Sequence, residues 1–300
     1  MKDLLKILDL SKEEILEILN LADQMKYESK NGIAHRVLEG KTLAMIFQKS
    51  STRTRVSFEV GMYQLGGYAL FLTHNDLQIG RGEPVEDTSR VLSRYVNGIM
   101  TRTFAQEEVE SLAKWSCIPV INGLTDFEHP CQILADLMTI REYHSALEGV
   151  KIGYIGDGNN VCNSLIAGAL KCGMKISVAT PKGYEPHADT LAFAKGNPDF
   201  VLTTSPEEAA KDADVLYTDV WASMGMEEEA QQRMKAFAGF QVNDEIMNLA
   251  HPKAIVQHCL PAHRGEEITA EVFEAHANPI FDEAENRLHA QKAIMAMLMG

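Results

Sequence analysis

The sequence predicts an α/β protein with two doubly wound parallel-sheet (Rossmann-like) domains and an interdomain cleft. Two observations support this fold class. Short apolar runs alternate with stretches of helical spacing in both halves of the chain, and polar residues follow the apolar runs. With 300 residues, the chain is long enough for two domains of ordinary size. We expect a first domain at 1–128, a bridging helix at 129–146, a second domain at 147–283, and a C-terminal helix, 284–300, that packs back on the first domain.

The first half begins with a helix and continues with strands and helices in alternation. Ser11-Lys12-Glu13-Glu14 has the form of a capping box, and apolar residues at helical spacing follow it. The strands predicted next are 43–47, 68–72, 98–100 and 119–121, and the helices between them are 56–65, 87–95 and 106–115. The polar, glycine-containing segment 73–86 predicts a long loop. A further helix opens at 126–132, with Pro130 suited to its first turn, and continues to about Tyr143.

The stretch Ser51-Thr52-Arg53-Thr54-Arg55 lies where the first strand gives way to a helix. A helix start offers backbone N–H groups without helical partners and the positive end of the helix dipole. Hydroxyls add donors, and arginines add forked donors that match phosphate oxygens, so this stretch is a candidate anion site. The alternative is a helix cap followed by two surface arginines, and the stretch by itself does not decide between the two.

A second alternation of strands and helices begins at Val150. The predicted strands are 151–155, 175–179, 200–203, 215–218 and 254–257, and the predicted helices are 161–171, 188–194, 206–211, 227–238 and 283–299.

Polar residues follow the predicted strands of both halves. They are Ser51–Thr54, Arg102 and His129–Gln132 in the first half, and Asn160, Asp219–Gly225 and Cys259–Leu260 in the second. Each alone could cap a helix, close a turn or lie on the surface. In open α/β sheets, however, the carboxyl ends of the strands carry the ligand site. Two such edges facing across a bridging helix predict the interdomain cleft.

Composition limits the possible partners and the compartment. A hydrophobic content of 45% and a charged content of 23% are typical of a soluble globular protein. A net charge of −14 argues against nucleic-acid binding and makes a local group of arginines more significant. No apolar run reaches membrane-spanning length, and the N-terminus lacks the apolar core of a signal peptide. The five scattered cysteines, without a CxxC pair, fit a reduced cytoplasm.

Four other kinds of site are disfavoured. Gly156-Asp157-Gly158 resembles the start of a dinucleotide fingerprint, but position 161 is valine and no acidic residue ends the second strand, where one would hold a ribose. No P-loop pattern occurs. His258, Cys259 and His263 could suggest zinc, yet structural zinc sites show paired ligands at short spacing, so no metal is expected. Cys259 as an acyl-enzyme nucleophile, with His129 as a distant partner, lacks a local signature.

Four motifs carry a resemblance to a known family. Ser51-Thr52-Arg53-Thr54-Arg55 and His129-Pro130-Cys131-Gln132 resemble the carbamoyl-phosphate signature of the aspartate/ornithine carbamoyltransferases. Asp219-Val220-Trp221-Ala222-Ser223-Met224-Gly225 and His258-Cys259-Leu260-Pro261 resemble the amino-acid side of the ornithine branch. The resemblance covers nearly the whole chain in the right order. It implies transfer of a carbamoyl group from carbamoyl phosphate to the δ-amine of L-ornithine, giving L-citrulline and phosphate without a cofactor.

The resemblance also implies roles for individual residues. The carbamoyl-phosphate ligands would be Ser51, Thr52, Arg53, Thr54, Gln78, Arg102, His129, Gln132 and Arg287. The ornithine ligands would be Asn160, Asp219, Ser223, Met224, Cys259 and Leu260. The catalytic residues would be Arg102, His129, Cys259 and Arg287. The active unit would be a homotrimer in which the loop around Gln78 reaches into the site of a neighbouring subunit. The loop of 223–225 would close after ornithine binds.

Some features depart from the family pattern, and two rival functions stay open. Thr101 stands before Arg102 where many relatives have an aromatic residue, and the aspartate branch has a lysine in the loop where this chain has Gln78. One rival is a carbamoyltransferase that acts on another amine, such as putrescine or lysine. The other is a non-enzymatic anion- or nucleotide-binding module of two Rossmann-like halves. The role of Arg55 is left open.

Overall fold

The computed structural model describes residues 1–73, 77–222 and 229–300. The chain forms two compact units. Unit 1 consists of Met1–Met138 and Glu285–Gly300, and unit 2 consists of Thr139–Ala284. The division between them falls inside the helix that the sequence predicts as a bridge, at 129–146.

Unit 1 contains a four-stranded parallel sheet in the order β2-β1-β3-β4. Its strands are β1 (Thr42–Phe47), β2 (Tyr68–Thr73), β3 (Gly98–Arg102) and β4 (Val120–Leu124). Its helices are α1 (Lys12–Lys30), α2 (Thr52–Gln64), α3 (Val85–Tyr95), α4 (Gln106–Trp115) and the first part of α5 (Pro130–His144), joined by the C-terminal part of the last helix. Strands β1, β3 and β4 are almost completely buried, which explains their continuous apolar runs.

The N-terminal segment extends this sheet beyond β4. The Leu4 amide donates to the Val120 carbonyl at 2.9 Å, and the Asn122 amide donates to the Leu4 carbonyl at 2.7 Å. The predicted capping box is present: the Ser11 hydroxyl accepts from the Glu14 amide, and the Glu14 carboxylate accepts from the Ser11 amide.

Unit 2 contains a five-stranded parallel sheet in the order β7-β6-β5-β8-β9. Its strands are β5 (Lys151–Ile155), β6 (Lys175–Ala179), β7 (Phe200–Thr203), β8 (Val215–Thr218) and β9 (Ile255–His258). The helices that follow α5 are α6 (Asn160–Lys171), α7 (Ala188–Ala194), α8 (Pro206–Ala210), α9 (Ala230–Ala236), α10 (Asp244–Met247), α11 (Ala270–Ala275) and α12 (Ala277–Met299). The α/β fold class with two parallel sheets is therefore confirmed.

Strand order places a topological switch point in each sheet. In unit 1 the chain passes from β1 to β2 on one side and then to β3 on the other, so the carboxyl ends of β1 and β3 flank the switch. In unit 2 the carboxyl ends of β5 and β8 flank the corresponding switch point. Ser51–Thr54, Asn160 and Asp219 follow β1, β5 and β8, and Arg102 ends β3, whereas His129–Gln132 follow β4 and Cys259–Leu260 follow β9.

Several elements differ from the sequence-based expectation. Helix α12 begins at Ala277 and not at Glu283, because Pro279 is tolerated in a first turn, where its missing N–H has no helical partner to lose. The short helices α10 and α11 were not predicted, although Asn243 and Thr269 cap them. Among the described residues, no helix combines the length and the hydropathy needed to cross a lipid bilayer.

Candidate active site

Helix α2 brings the Ser51–Arg55 stretch to the carboxyl end of β1. Ser51 is the N-cap of this helix, and its hydroxyl accepts from the Thr54 amide at 3.1 Å. The amides of Gln48 and Lys49 donate to the Arg102 carbonyl at 2.9 and 3.4 Å, which fixes the loop before α2 against the end of β3. The helix cap and the anion site are therefore compatible interpretations of the same stretch.

Arg287, on α12, joins residues that are far apart in the chain. Its Nη1 donates to Gln132 Oε1 at 2.7 Å, and its Nη2 donates to Thr54 Oγ1 at 3.0 Å. The side chains of these three residues are buried. The structure thus brings together three of the predicted site residues from α2, α5 and α12.

Two further side chains orient this group, and the sequence analysis missed both. The Gln132 amide nitrogen donates to Asp136 Oδ1 at 2.8 Å, which leaves Gln132 Oε1 facing Arg287. Arg287 Nε donates to Gln291 Oε1 at 2.9 Å, and the Gln291 amide nitrogen donates to Ser57 Oγ at 2.7 Å. The available signal was helical spacing, because each of these two residues follows a predicted site residue by four positions.

Arg102 and His129 are also buried, with 4% and 5% of their surface exposed. Burial lowers the pKa of His129 well below its usual value, and the positive charges of Arg287, Arg102 and Arg53 lower this pKa further. His129 is therefore neutral at physiological pH. Three arginines facing a neutral imidazole leave net positive charge, which suits an anionic ligand.

Arg55 and Gln78 lie apart from these buried side chains. Arg55 Nε is 3.1 Å from Glu59 Oε1, and the Arg55 guanidinium stacks on the Phe71 ring with its carbon 3.6 Å from the ring centroid. Gln78 is exposed and begins the 3₁₀ helix Gln78–Arg81, inside the segment predicted as a long loop.

In unit 2, the structure places Asp219 beside Cys259. Asp219 follows β8 and is 5% exposed. The Cys259 thiol donates to Asp219 Oδ1 at 3.0 Å, and the Asn159 amide nitrogen donates to Asp219 Oδ2 at 2.7 Å. The Val220 amide donates to Oδ1 as well, at 2.8 Å. The carboxylate is therefore held between the loops that follow β5, β8 and β9.

Asn159 is another residue that the sequence analysis missed; the neighbouring Asn160 stays a predicted ornithine ligand. The Asn159 side chain accepts from the Val161 and Cys162 amides as the N-cap of α6, so its two polar atoms serve the helix and Asp219. Asn160 is the first residue of α6, and its side-chain oxygen lies 3.0 Å from the Val161 nitrogen. Ser223 and Met224, together with Gly225, lie outside the described residues.

The Gly156-Asp157-Gly158 turn packs closely against its surroundings. A Cβ atom on Gly158 would lie 2.3 Å from backbone atoms of Glu185 and Pro186, so this position requires glycine for packing alone. Arg233 Nη1 donates to Asp157 Oδ2 at 2.8 Å and to the Trp221 carbonyl at 2.9 Å. Burial raises the pKa of Asp157 to about 6, although Arg233 opposes the shift.

The end of β9 contains a group whose spacing would permit a metal ion. One potential ligand atom each from Asp219, His258 and Cys259 lies within 4.8 Å of the others. Both ring nitrogens of His258 are already hydrogen-bonded, to the Leu260 amide and to Glu267, and the thiol of Cys259 donates to Asp219. A metal ion would have to replace these bonds.

Comparison with known proteins identifies the family. Residues 2–142 match the model of the carbamoyl-P binding domain of aspartate/ornithine carbamoyltransferase, and residues 148–298 match the model of its Asp/Orn binding domain. The chain belongs to the aspartate/ornithine carbamoyltransferase family.

Its relatives lie in the ornithine branch. A Thermococcus kodakarensis protein named ornithine carbamoyltransferase is 57% identical, over all of this chain and 96% of the relative. A Syntrophotalea carbinolica protein of the same name is 58% identical, over 100% of this chain and 99% of the relative. The solved structure of ornithine carbamoyltransferase from Pyrococcus furiosus superimposes with a TM-score of 0.95 at 54% identity, covering 100% of this chain and 97% of that one.

Cys131, in the site region, and Cys117, exposed before β4, should differ sharply in reactivity. Burial raises the pKa of Cys131 to about 12, whereas Cys117 is exposed. Since the thiolate is the reactive form, iodoacetamide at pH 8 should alkylate Cys117 at least ~1,000 times faster than Cys131 in the folded protein. Peptide mass spectrometry measures both rates, and unfolding in guanidinium chloride should remove the difference. Alkylation of folded Cys131 within tenfold of the Cys117 rate contradicts the expectation.

Proposed function

We propose that the protein transfers the carbamoyl group of carbamoyl phosphate to the δ-amine of L-ornithine, giving L-citrulline and phosphate. One observation carries the proposal: the motifs of both substrate sides occur in one chain, whose full-length relatives are named ornithine carbamoyltransferases. The buried group around Arg287 in unit 1 and the Asp219–Cys259 pair in unit 2 support the assignment of the two sides.

Carbamoyl phosphate binds in unit 1 in this proposal. Ser51, Thr52, Arg53 and Thr54 hold its phosphate at the N-terminus of α2, where backbone N–H groups and the helix dipole favour an anion. The 13-residue length of α2 makes this dipole effective. Arg287, already bonded to Thr54 and Gln132, would link the phosphate ligands to the carbamoyl ligands.

Arg102 and His129 act on the carbonyl oxygen of the carbamoyl group, and Gln132 and Arg287 are further ligands of carbamoyl phosphate. Attack by an amine creates a tetrahedral centre whose oxygen carries negative charge. Buried donors that are already in place stabilise this charge, and each is worth on the order of 3 kcal/mol. Because His129 is neutral, it acts as a hydrogen-bond donor to the oxygen and adds no cationic charge.

Ornithine binds in unit 2. Its α-amino and α-carboxylate groups are held by Asn160, Asp219, Ser223 and Met224. Among these residues, Asp219 can accept a hydrogen bond from the α-amino group. Cys259 and the Leu260 carbonyl orient the δ-amine. This division of roles favours ornithine over putrescine, since putrescine has no α-carboxylate or α-amino group to hold.

The δ-amine must lose a proton before it attacks, because an alkylamine of this kind has a pKa of ~10. Desolvation favours the neutral amine. The amine nitrogen then bonds to the carbonyl carbon, the bond from that carbon to the phosphate oxygen breaks, and the leaving phosphate takes up the proton released by the amine. Carbamoyl phosphate is already activated, so the residues supply positioning and electrostatic stabilisation without a cofactor.

The proposal is tested by offering carbamoyl phosphate with a panel of amines and following both phosphate and the carbamoylated product. Ornithine should be turned over far faster than putrescine, lysine or aspartate. Preference for putrescine or lysine would replace the proposal by the first rival function. Binding of carbamoyl phosphate without turnover of any amine would favour a non-enzymatic anion-binding module.

Arg102→Ala should lower kcat by at least ~100-fold, because it removes a buried cationic donor to the developing oxyanion. Steady-state kinetics with saturating carbamoyl phosphate and ornithine measures the loss, and circular dichroism checks that the fold persists. Arg90→Ala is the matched control: Arg90 is exposed on α3 and bonds to Asp87, so the same change of charge should leave kcat within about twofold. Near-normal turnover of Arg102→Ala contradicts the assigned role.

We further propose that the active unit is a homotrimer in which Gln78 completes the site of a neighbouring subunit. Helix α2 supports an interface, since Val56, Val60 and Tyr63 form an apolar stripe at helical spacing, and Tyr63 is 79% exposed. The exposed position of Gln78 is compatible with a contact to another chain.

Tyr63→Glu should dissociate the trimer, as measured by sedimentation velocity, because it places a charge in the apolar stripe. Phe193→Glu, at an exposed aromatic position of unit 2, is the control and should leave the assembly intact. Coexpression of Gln78→Ala with Arg102→Ala should then restore activity that neither variant has alone, because about one site in four combines both native residues in mixed trimers. A fully active monomer, or mixed trimers without restored activity, would refute a shared site.

We also propose a cytoplasmic location and a role in arginine biosynthesis. The five cysteines, all within the described part of the chain, form no disulfide, which supports a reducing cytoplasm. A Pyrococcus furiosus relative named anabolic ornithine carbamoyltransferase supports the direction of arginine biosynthesis.

A further inference from the structure

His258 lies in the buried interior of unit 2 with both ring nitrogens engaged. Its Nδ1 accepts from the Leu260 amide at 2.9 Å, and its Nε2 lies 2.9 Å from Glu267 Oε1. The exposed fraction of His258 is 1% and that of Glu267 is 0%. The backbone of His258 is fixed too, since its amide donates to Glu283 Oε2 at 2.9 Å.

These contacts assign the tautomer of the imidazole. An amide N–H can only donate, so Nδ1 must carry a lone pair to accept from Leu260. The proton of the neutral ring therefore lies on Nε2 and is donated to the Glu267 carboxylate. Glu267 Oε1 also accepts from the His263 amide at 2.6 Å, which holds the carboxylate on the far side of the turn.

The Leu260 backbone needs such support. Its φ is +60°, in the left-handed region that is unfavourable for a residue with a Cβ atom. The hydrogen bond from the Leu260 amide to His258 Nδ1 closes the turn within which this conformation occurs. The direction of the Leu260 carbonyl, and with it the position of Cys259 beside Asp219, depends on that turn.

We propose that His258 is a positioning residue: with Glu267 behind it, it aims the Leu260 carbonyl at the δ-amine of ornithine. His258 does not touch the substrate and exchanges no proton with it. The inference rests on the proposed function for its substrate. It assigns to His258–Glu267 a task that differs from those of the ligands Cys259 and Leu260.

Two substitutions at His258 distinguish the contributions of the two ring nitrogens. In His258→Asn, the side-chain oxygen occupies the place of Nδ1 and can accept from the Leu260 amide, as asparagine does in turns. In His258→Gln, the longer amide can reach Glu267 but offers no acceptor at the Nδ1 position. We expect the KM for ornithine to stay within about threefold in His258→Asn and to rise about tenfold or more in His258→Gln, the usual effect of losing one hydrogen bond. The KM for carbamoyl phosphate should not change in either variant.

A merely structural role predicts a different result. Loss of stability alone reduces the amount of active enzyme, so it lowers the apparent kcat and leaves the KM for ornithine unchanged in both variants. Equal KM values for ornithine in the two variants therefore overturn the proposal. Since a variant of a buried residue can fail to fold, Glu267→Gln and Glu267→Leu provide a second pair. Glutamine still accepts from Nε2 and should resemble the native enzyme, whereas leucine should raise the KM for ornithine. Equal KM values in that pair also overturn the proposal.

Hydrogen exchange distinguishes failure of this inference from failure of the proposed function. Exchange of the Leu260 amide, followed by mass spectrometry of a peptide that spans 256–266, does not require turnover. Protection should persist in His258→Asn and disappear in His258→Gln. Absence of ornithine turnover in the native enzyme would reject the function while leaving this readout valid. Equal protection in both variants would reject the role of Nδ1 even in an active enzyme.

Discussion

The buried guanidinium of Arg287 is the constraint on which the unit 1 site depends. A buried cation is costly unless its donors are satisfied, and Arg287 satisfies donors with Thr54, Gln132 and Gln291, from three helices. All three acceptors are neutral, so these three bonds fix the guanidinium without placing a countercharge on it. Burial lowers the pKa of His129, and the charge of Arg287 lowers it further and favours an anion. Structural support and electrostatic function therefore come from the same contacts, which lie within unit 1.

Unit 2 differs from unit 1 because it holds a buried carboxylate. Asp219 accepts from Asn159, Val220 and Cys259, which are neutral donors, so its negative charge is also kept. A buried ion pair between Arg233 and Asp157 lies beside this group and ties the Trp221 carbonyl to the loop after β5. The pKa of Asp157, raised to about 6, indicates that Arg233 offsets only part of the cost of burying that carboxylate. In the proposed reaction, unit 1 offers positive charge to the phosphate and unit 2 offers negative charge to an amine.

The sequence predicts the parts of this arrangement that follow from chain direction and local pattern. Parallel strands must present their carboxyl ends at one edge, so residues such as Ser51, Arg102 and Asp219 can be placed without coordinates. Contacts between side chains distant in sequence cannot be obtained in this way. Arg233 and Asp157 are 76 residues apart, and only tertiary packing shows that they pair. The contact of Asn159 with Asp219 is not predictable for another reason: one residue of helix phase decides which side chain reaches Asp219, and the boundary of a helix is the least certain feature of a pattern. The tautomer of His258 likewise depends on Glu267, which no motif marked.

The lowered pKa of His129 also bears on where the proton of the amine goes. An imidazole that must overcome three arginine charges to accept a proton is a poor general base, even though its sequence position beside the carbonyl ligands would suit that role. The same arginines also lower the basicity of the phosphate group in bound carbamoyl phosphate, so the proton acceptor is the phosphate that is leaving and not the bound substrate. As the bond from carbon to phosphate breaks, the departing oxygen gains charge and basicity at the moment when the attacking nitrogen becomes acidic. In the proposed reaction, the leaving phosphate is therefore a better proton acceptor than His129. One group of positive charges binds the leaving group and also directs the proton to it.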